Sequence, residues 1–218
     1  MSDQPGLLQR ERAYRSFTEK LLSRSLTPGQ FVSQRELVDL TDMTLGAIRE
    51  MIPRLEADGL IRTVPHRGLQ IPQVDMELIR NAFQLRLLLE REAVAAFARD
   101  ASESTIAKLA AEHREIREAA RTEVTAELIE RAQKIDWDFH DQMIDGLGNA
   151  LISNIYRVNS IKIRLIRGQD TRILPELVVS VMDEHLAIFD ALASRDPAAA
   201  VAALERHIGS AKMRAIRI

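Results

Sequence analysis

Apolar residues recur at helical spacing along most of the chain, and the breaks in that pattern fall at glycine, proline and capping residues. Leu8, Tyr14, Phe17, Leu21 and Leu22 mark a first helix over about residues 8 to 24. Ser33-Gln34-Arg35-Glu36 has the order of a capping box and opens a short second helix through about Leu40. Thr44 caps a third helix, which carries Ile48, Ile52 and Leu55 on its inner face and ends before Gly59. Leu60 to Val64 and Leu69 to Ile71 are short β-prone segments on either side of the turn Pro65-His66-Arg67-Gly68, which reads as a hairpin. Helices followed by a hairpin in this order predict a winged helix-turn-helix.

From Met76 onward the pattern is helical almost without interruption. It predicts six helices over about residues 76–100, 103–122, 125–146, 150–168, 175–194 and 197–214, with caps at Ser102 (or Thr105), Thr125 and Asp196. No fixed-period repeat or low-complexity tract interrupts them. The predicted fold is therefore mainly α: an N-terminal winged helix-turn-helix domain over residues 1–74, plus a C-terminal antiparallel all-helical bundle over residues 75–218, large enough to enclose a pocket.

Composition narrows the chemistry. The 218 residues are 46% hydrophobic and 28% charged, an ordinary soluble balance. No apolar run is long enough to span a bilayer and no charged-then-apolar leader opens the sequence, so no membrane partner and a cytoplasmic location are expected. There is no cysteine, which excludes disulfides and restricts any metal site to nitrogen and oxygen ligands. Net charge is −2, and residues 1 to 75 carry ten Lys or Arg against ten Asp or Glu. Overall charge thus gives no support for nucleic-acid binding, and that function must rest on local geometry. Arg35 at the start of the second helix, Arg49 and Arg54 on the third, and His66 with Arg67 at the wing tip can share one surface and reach phosphates and base edges of double-stranded DNA. The alternative for Arg35, Arg54 and Arg62 is solvated surface charge.

The five histidines carry the second signal. Asp196-Pro197 reads as a helix N-cap followed by proline at the first helical position, so the flanking helices form a hairpin about residue 196. His185 and His207 are equidistant from that turn and fall side by side. His140 follows Asp136 by four residues, which places a carboxylate and an imidazole on one helix face. Three histidines and one aspartate can therefore converge as ligands for a first-row metal ion. Zinc is the commonest occupant of such a set, and nickel, manganese or cobalt also suit it. His113, set among Glu112, Arg114 and Glu115, reads as exposed, and Phe139 as a core residue.

Taken in order, these segments resemble a known family. Leu26-Thr27-Pro28-Gly29, Arg35-Glu36-Leu37, Ile48-Arg49-Glu50 and Arg54 through Ile61 resemble the winged helix of GntR-family transcriptional regulators. Arg86-Leu87-Leu88-Leu89-Glu90, Asp136 through His140, Gly148 through Leu151, Glu184-His185 and Ala203 through Ile208 resemble the FCD ligand-sensing domain of its FadR subfamily. The resemblance runs from about Gln9 to Met213 and implies that Asp136, His140, His185 and His207 are metal ligands. It also marks a departure: in the DNA-reading segment this chain has Thr44-Leu45-Gly46-Ala47, with Leu45 where the family commonly has an arginine, so the operator it reads differs or is bound less tightly.

The resemblance places Arg86 near the metal cavity, where a guanidinium can grip a carboxylate ligand; the alternative is an i,i+4 pair with Glu90 on a solvated face. Arg157 and Arg164, seven apart on one face of the fourth helix, with Asn159 and Lys162 or Arg167, supply further polar positions, at least one of which is expected to point inward. Asp138, Asp141, Asp145 and Glu184 are candidate acceptors for the outer imidazole nitrogens, or surface charge. The reading that follows is a homodimeric regulator, most simply a repressor, whose operator binding responds to a small organic acid held by the metal and by arginine. Its rivals are a regulator for which the metal is itself the signal, and a metal-dependent hydrolase.

Overall fold

The computed structural model describes residues 5–166 and 173–216. The side chain of Leu8, Arg167 and the expected helix end at Gly168 lie outside the described residues.

The first compact unit runs to Asp75 and also takes in Arg164–Ile166. It holds α1 (Pro5–Leu22), β1 (Phe31–Val32), α2 (Gln34–Thr41), α3 (Leu45–Ala57), β2 (Arg62–Val64) and β3 (Gly68–Gln70). Ser33 accepts from the backbone N–H of Glu36 at 3.1 Å while Glu36 accepts from that of Ser33 at 2.7 Å, the reciprocal capping box expected from the sequence. Thr44 accepts from the N–H of Ala47 at 3.2 Å and starts α3. The core is built from Phe17 and Leu21 of α1, Leu37 of α2, and Ile48, Met51 and Leu55 of α3. Met51, not Ile52, takes the inward position between the other two.

The sheet has three strands in the order β1-β3-β2, all antiparallel. The sequence pattern supplied the β2–β3 hairpin but not β1, whose two residues are strand only because β3 lies beside them. At this crossing Gly68 has φ +90°, and a Cβ built there would lie 3.1 Å from the carbonyl oxygen of Val32, so glycine is required by both conformation and space.

The second unit begins at Met76. It comprises α4 (Met76–Asp100), α5 (Glu103–Thr122), α6 (Ala126–Asp145), α7 (Ala150–Ile166, less its last three residues), a 3-10 turn at Pro175–Leu177, α8 (Val178–Ala193) and α9 (Pro197–Ile216). Ser102 and Thr125 cap α5 and α6. Asp196 accepts from the N–H groups of Ala198 and Ala199, both at 3.0 Å, and turns the chain into α9 as its pairing with Pro197 anticipates. α8 packs on α9, α5 on α8, and α4 on α9, so residues facing inward from α4, α6, α8 and α9 meet in the middle of the bundle.

Candidate functional site

Asp136, His140, His185 and His207 are all buried, and one ligand atom from each lies within 4.8 Å of the others. Two local features bring them there. The i,i+4 spacing on α6 turns Asp136 and His140 to one face. The α8–α9 hairpin sets His185 beside His207, with ring centroids 4.4 Å apart and Nε2 to Nε2 3.3 Å. His140 stacks on His207 at 5.2 Å, and Nε2 of His185 lies 3.2 Å from Oδ1 of Asp136. The other oxygen of Asp136 accepts from the amide of Gln133 at 3.3 Å, which leaves Oδ1 directed to the histidines.

This arrangement fits a divalent ion. Bonds of about 2.0–2.2 Å to nitrogen and oxygen put neighbouring ligand atoms about 3–3.5 Å apart, and the separations at His185 have that size. Two of the imidazoles, His207 and His140, are also held in the protonation state a metal needs. Burial, followed by the nearness of His185, pushes His207 down to about 3, and burial, helped by Arg86 against the pull of Glu90, lowers His140. Neutral rings at physiological pH offer the lone pairs a metal needs.

The outer nitrogens of His207 and His140 face carboxylates. Nδ1 of His207 donates to Glu184 at 2.8 Å, and Glu184 is in turn gripped by both terminal nitrogens of Arg214 at 3.0 and 3.1 Å. Burial works to raise Glu184, but the bonds from His207 and Arg214 prevail and hold it at about 2. Nδ1 of His140 lies 2.8 Å from Oε2 of Glu90, whose other oxygen accepts from Nε of Arg86 and from the hydroxyl of Tyr156, each at 2.7 Å. Burial alone would raise the Glu90 carboxyl and lower the Arg86 guanidinium; each reverses the other's shift, so the pair stays ionised inside the bundle. Such partners fix which nitrogen points inward.

Of the four effector candidates from the sequence, only Arg86 is brought to the cluster. It is not on a solvated face: its side chain is 7% exposed, that of Glu90 is 0%, and besides Glu90 it contacts Nε2 of His140 at 2.8 Å, the nitrogen a metal would take. Arg157 is drawn outward to Asp141 at 2.8 Å and Asp145 at 2.5 Å. Asn159 is buried but donates to the carbonyl of Ala82 at 2.9 Å, tying α7 to α4. Arg164 belongs to the first compact unit and not to the one that holds the cluster. Glu184 is the one outer acceptor that sequence reasoning identified among four candidates. Glu90, its counterpart beside His140, was missed, as was Tyr156, which donates to Glu90, and His113 was misread: it is fully buried, because the face of α5 that carries it packs on α8.

On the first unit, Arg35 and Arg49 are exposed, and Nε of Arg49 donates to Gln34 at 3.1 Å, which steadies it across α2 and α3. Thr44 is exposed at the N-terminus of α3, where Leu45 is 41% exposed. His66 sits at the hairpin turn with φ +61°, and Arg67 stacks over the ring of Phe31 at 3.8 Å. Arg54 differs from these, since it pairs with Glu11 at 2.5 Å and stacks on Tyr14 at 3.9 Å, which commits it to the α1 side of the domain. Among the described residues no helix is long and apolar enough to cross a membrane.

Comparison with known proteins agrees with both halves. Residues 9–71 match the family described as bacterial regulatory proteins, gntR family, and residues 81–210 match the FCD domain. The probable HTH-type transcriptional regulator LgoR of Escherichia coli is 23% identical over 206 residues, 93% of this chain and 66% of that one. The HTH-type transcriptional regulator LutR of Bacillus subtilis is 27% identical over 200 residues, 84% of this chain and 90% of its own. Among solved structures, E. coli McbR/YncC superposes with a TM-score of 0.71 at 15% identity, over 93% of this chain and 94% of that one. The metal-free FCD domain of TM0439 superposes with a TM-score of 0.53 at 22% identity, over 66% of this chain and 94% of that domain. With a winged helix and an FCD domain in a single chain, and relatives that are regulators rather than enzymes, the chain belongs to the FadR-like, FCD-containing branch of the GntR family of transcriptional regulators.

Proposed function

We propose that the protein is a homodimeric, cytoplasmic repressor whose hold on operator DNA is controlled by a small organic carboxylate. The carboxylate binds at a divalent metal, zinc by ligand chemistry with nickel, manganese or cobalt as substitutes, held by Asp136, His140, His185 and His207. The observation that carries this reading is the 2.8 Å contact between Arg86 and Nε2 of His140. A buried cation stands at the atom that a metal would ligate; were Nε2 of His140 to hold the ion, Arg86 would keep Nε on Glu90 and have its two terminal nitrogens free to pair with an anion. Four protein ligands without sulfur leave coordination positions for that anion or for water. When bound, the metal supplies Lewis-acid attraction for a carboxylate; Arg86 orients it, and Glu90 with Tyr156 keeps Arg86 in place.

The DNA side is supported by the exposed Arg35, Thr44, Arg49, His66 and Arg67 of the winged helix, with Arg54 least suited because of its pairing with Glu11. One recognition helix covers only a few base pairs, so a dimer reading two half-sites is the reading consistent with useful specificity. An effector can release the operator only if it binds one arrangement of the protein better than the other.

The test is elemental analysis of purified protein and of its His140→Ala, His185→Ala and His207→Ala variants. It is followed by a thermal-shift screen of small organic acids with and without chelator. About one metal per chain, lost in each variant, with acids that stabilise only the loaded protein, is the expected result. Full occupancy in all three variants would refute the ligand set. Release of operator by chelator alone, with no response to any acid, would show that the metal is itself the signal.

A further inference from the structure

Each histidine of the cluster turns one nitrogen inward and the other outward. The outward Nδ1 of His207 donates to Glu184 at 2.8 Å, and that of His140, though not aligned for a hydrogen bond, lies 2.8 Å from the carboxylate oxygen Oε2 of Glu90. His185 breaks the pattern. Its Nε2 faces Asp136 and His207, yet its Nδ1 is buried with no hydrogen-bond partner. The ring beside it is His113 of α5, with centroids 5.0 Å apart and planes at 60°. Nδ1 of His113 lies 2.8 Å from the carbonyl oxygen of Leu109, an atom that only accepts, so that nitrogen carries the hydrogen and Nε2 is left as a lone pair. This Nε2 is also buried and without a partner. Two neighbouring rings thus hold one unsatisfied nitrogen each, and a ring nitrogen that binds a metal through Nε2 needs its hydrogen on Nδ1, which makes the two complementary.

We infer that His113 is a positioning residue for the metal site, accepting the Nδ1–H of His185 and so presenting the Nε2 lone pair of His185 to the ion. The inference rests on the metal-centre reading above. A centroid separation of 5.0 Å leaves room for a nitrogen–nitrogen hydrogen bond of about 2.9 Å when the two ring nitrogens face each other. The residue type follows from the surroundings. Glu90 is neutralised by Arg86 and Glu184 by Arg214, whereas His113 is walled by Phe139 and Phe189, at 5.9 and 4.8 Å, where an unpaired carboxylate would be costly and a neutral imidazole is not. All three metal-facing imidazoles are then oriented from behind, two by charged acceptors and one by a neutral one.

The experiment compares full-length wild type with His113→Phe. Zinc affinity is measured by competition with a chelating indicator, and the melting temperature is measured on metal-free protein. Loss of an orienting acceptor is expected to weaken zinc binding by roughly ten- to a hundredfold. The metal-free melting temperature should not fall, because phenylalanine fills the apolar wall and removes an unpaired nitrogen. A role in packing alone gives the reverse, a lower melting temperature with unchanged affinity, and overturns the inference. Long-range nitrogen–proton spectra of zinc-loaded wild type test it without a variant: both His113 and His185 should be protonated on Nδ1, and a proton on Nε2 of either ring refutes it. If wild type itself takes up no zinc, the metal-centre reading falls together with this one. Equal affinity of a folded variant and a zinc-binding wild type removes only the role of His113.

Discussion

Replacing Glu90 by glutamine changes one buried atom and should disturb three partners at once. Oε1 of Glu90 accepts from Arg86 and Tyr156, each at 2.7 Å, and Oε2 lies 2.8 Å from Nδ1 of His140. A glutamine amide that keeps its oxygen toward Arg86 and Tyr156 must turn its NH2 toward His140. That ring can then only accept at Nδ1, and its hydrogen moves to Nε2, where it blocks the metal. The charge of Arg86 is also left without its counterion in a nearly dry site. Breaking a buried pair by removing one member costs about 3–5 kcal/mol. At roughly 2–4 °C per kcal/mol for a chain of this size, the second unit should melt roughly 6–20 °C lower. Zinc affinity should fall by about ten- to a hundredfold. Differential scanning calorimetry of metal-free protein and chelator competition read the two effects separately. A Glu90→Gln variant that binds zinc as wild type does and melts within a degree of it would refute the assignment of Glu90 as the group that sets the His140 tautomer.

Other outcomes follow from the same geometry. Arg49→Ala should weaken operator binding by about 1–3 kcal/mol without loss of fold, and Arg35→Ala should lower the salt slope by about one if it meets a phosphate; unchanged values in gel-shift titrations remove either residue from the interface. Arg86→Lys, which keeps a charge beside Glu90 but loses the guanidinium fork, should retain metal and DNA binding yet raise the effector concentration for operator release by roughly ten- to a hundredfold. His113 and His207 are both held near 3 in the fold against an ordinary 6.5, so unfolded chains take up protons that the native state refuses. Their contribution is whole above pH 6.5 and declines as pH falls from there toward 3, so metal-free protein should melt progressively lower from pH 6.5 to 5; a flat profile contradicts this. Glu184, depressed to about 2, adds its own loss only below its ordinary 4.5.

The helices and the convergence of Asp136, His140, His185 and His207 were legible in the sequence because both depend on local spacing. Asp136 and His140 are one helical turn apart, and His185 and His207 are symmetric about a turn that Asp196-Pro197 announces. The sequence could not reveal the groups behind them. Glu90 meets His140 from a different helix, and its i,i+4 neighbour Arg86 offered a simpler explanation for both. His113 shows the same limit, since flanking charges at Glu112, Arg114 and Glu115 describe the other faces of α5 and say nothing of the one turned to α8. β1 is missing from the pattern for the same reason: two residues become a strand only through a partner 37 positions away, where Val32 pairs with Leu69.

The charges around the cluster indicate which ligand it can accept. Glu90 and Arg86 cancel, and so do Glu184 and Arg214. What remains is one carboxylate, Asp136, and three imidazoles, of which burial keeps His140 and His207 neutral. Added to a divalent ion, this set carries about one net positive charge, which in a low-dielectric interior is costly without an anion. A monocarboxylate restores neutrality, and a cation cannot. Were the ion held by Nε2 of His140, Arg86 would lose that contact and be available to pair with an anion. On the proposed function, each of metal and anion should bind more tightly with the other present, by the same factor. Isothermal titration of an effector acid into zinc-loaded and metal-free protein measures that factor, and equal affinities would break the link between Arg86 and the metal.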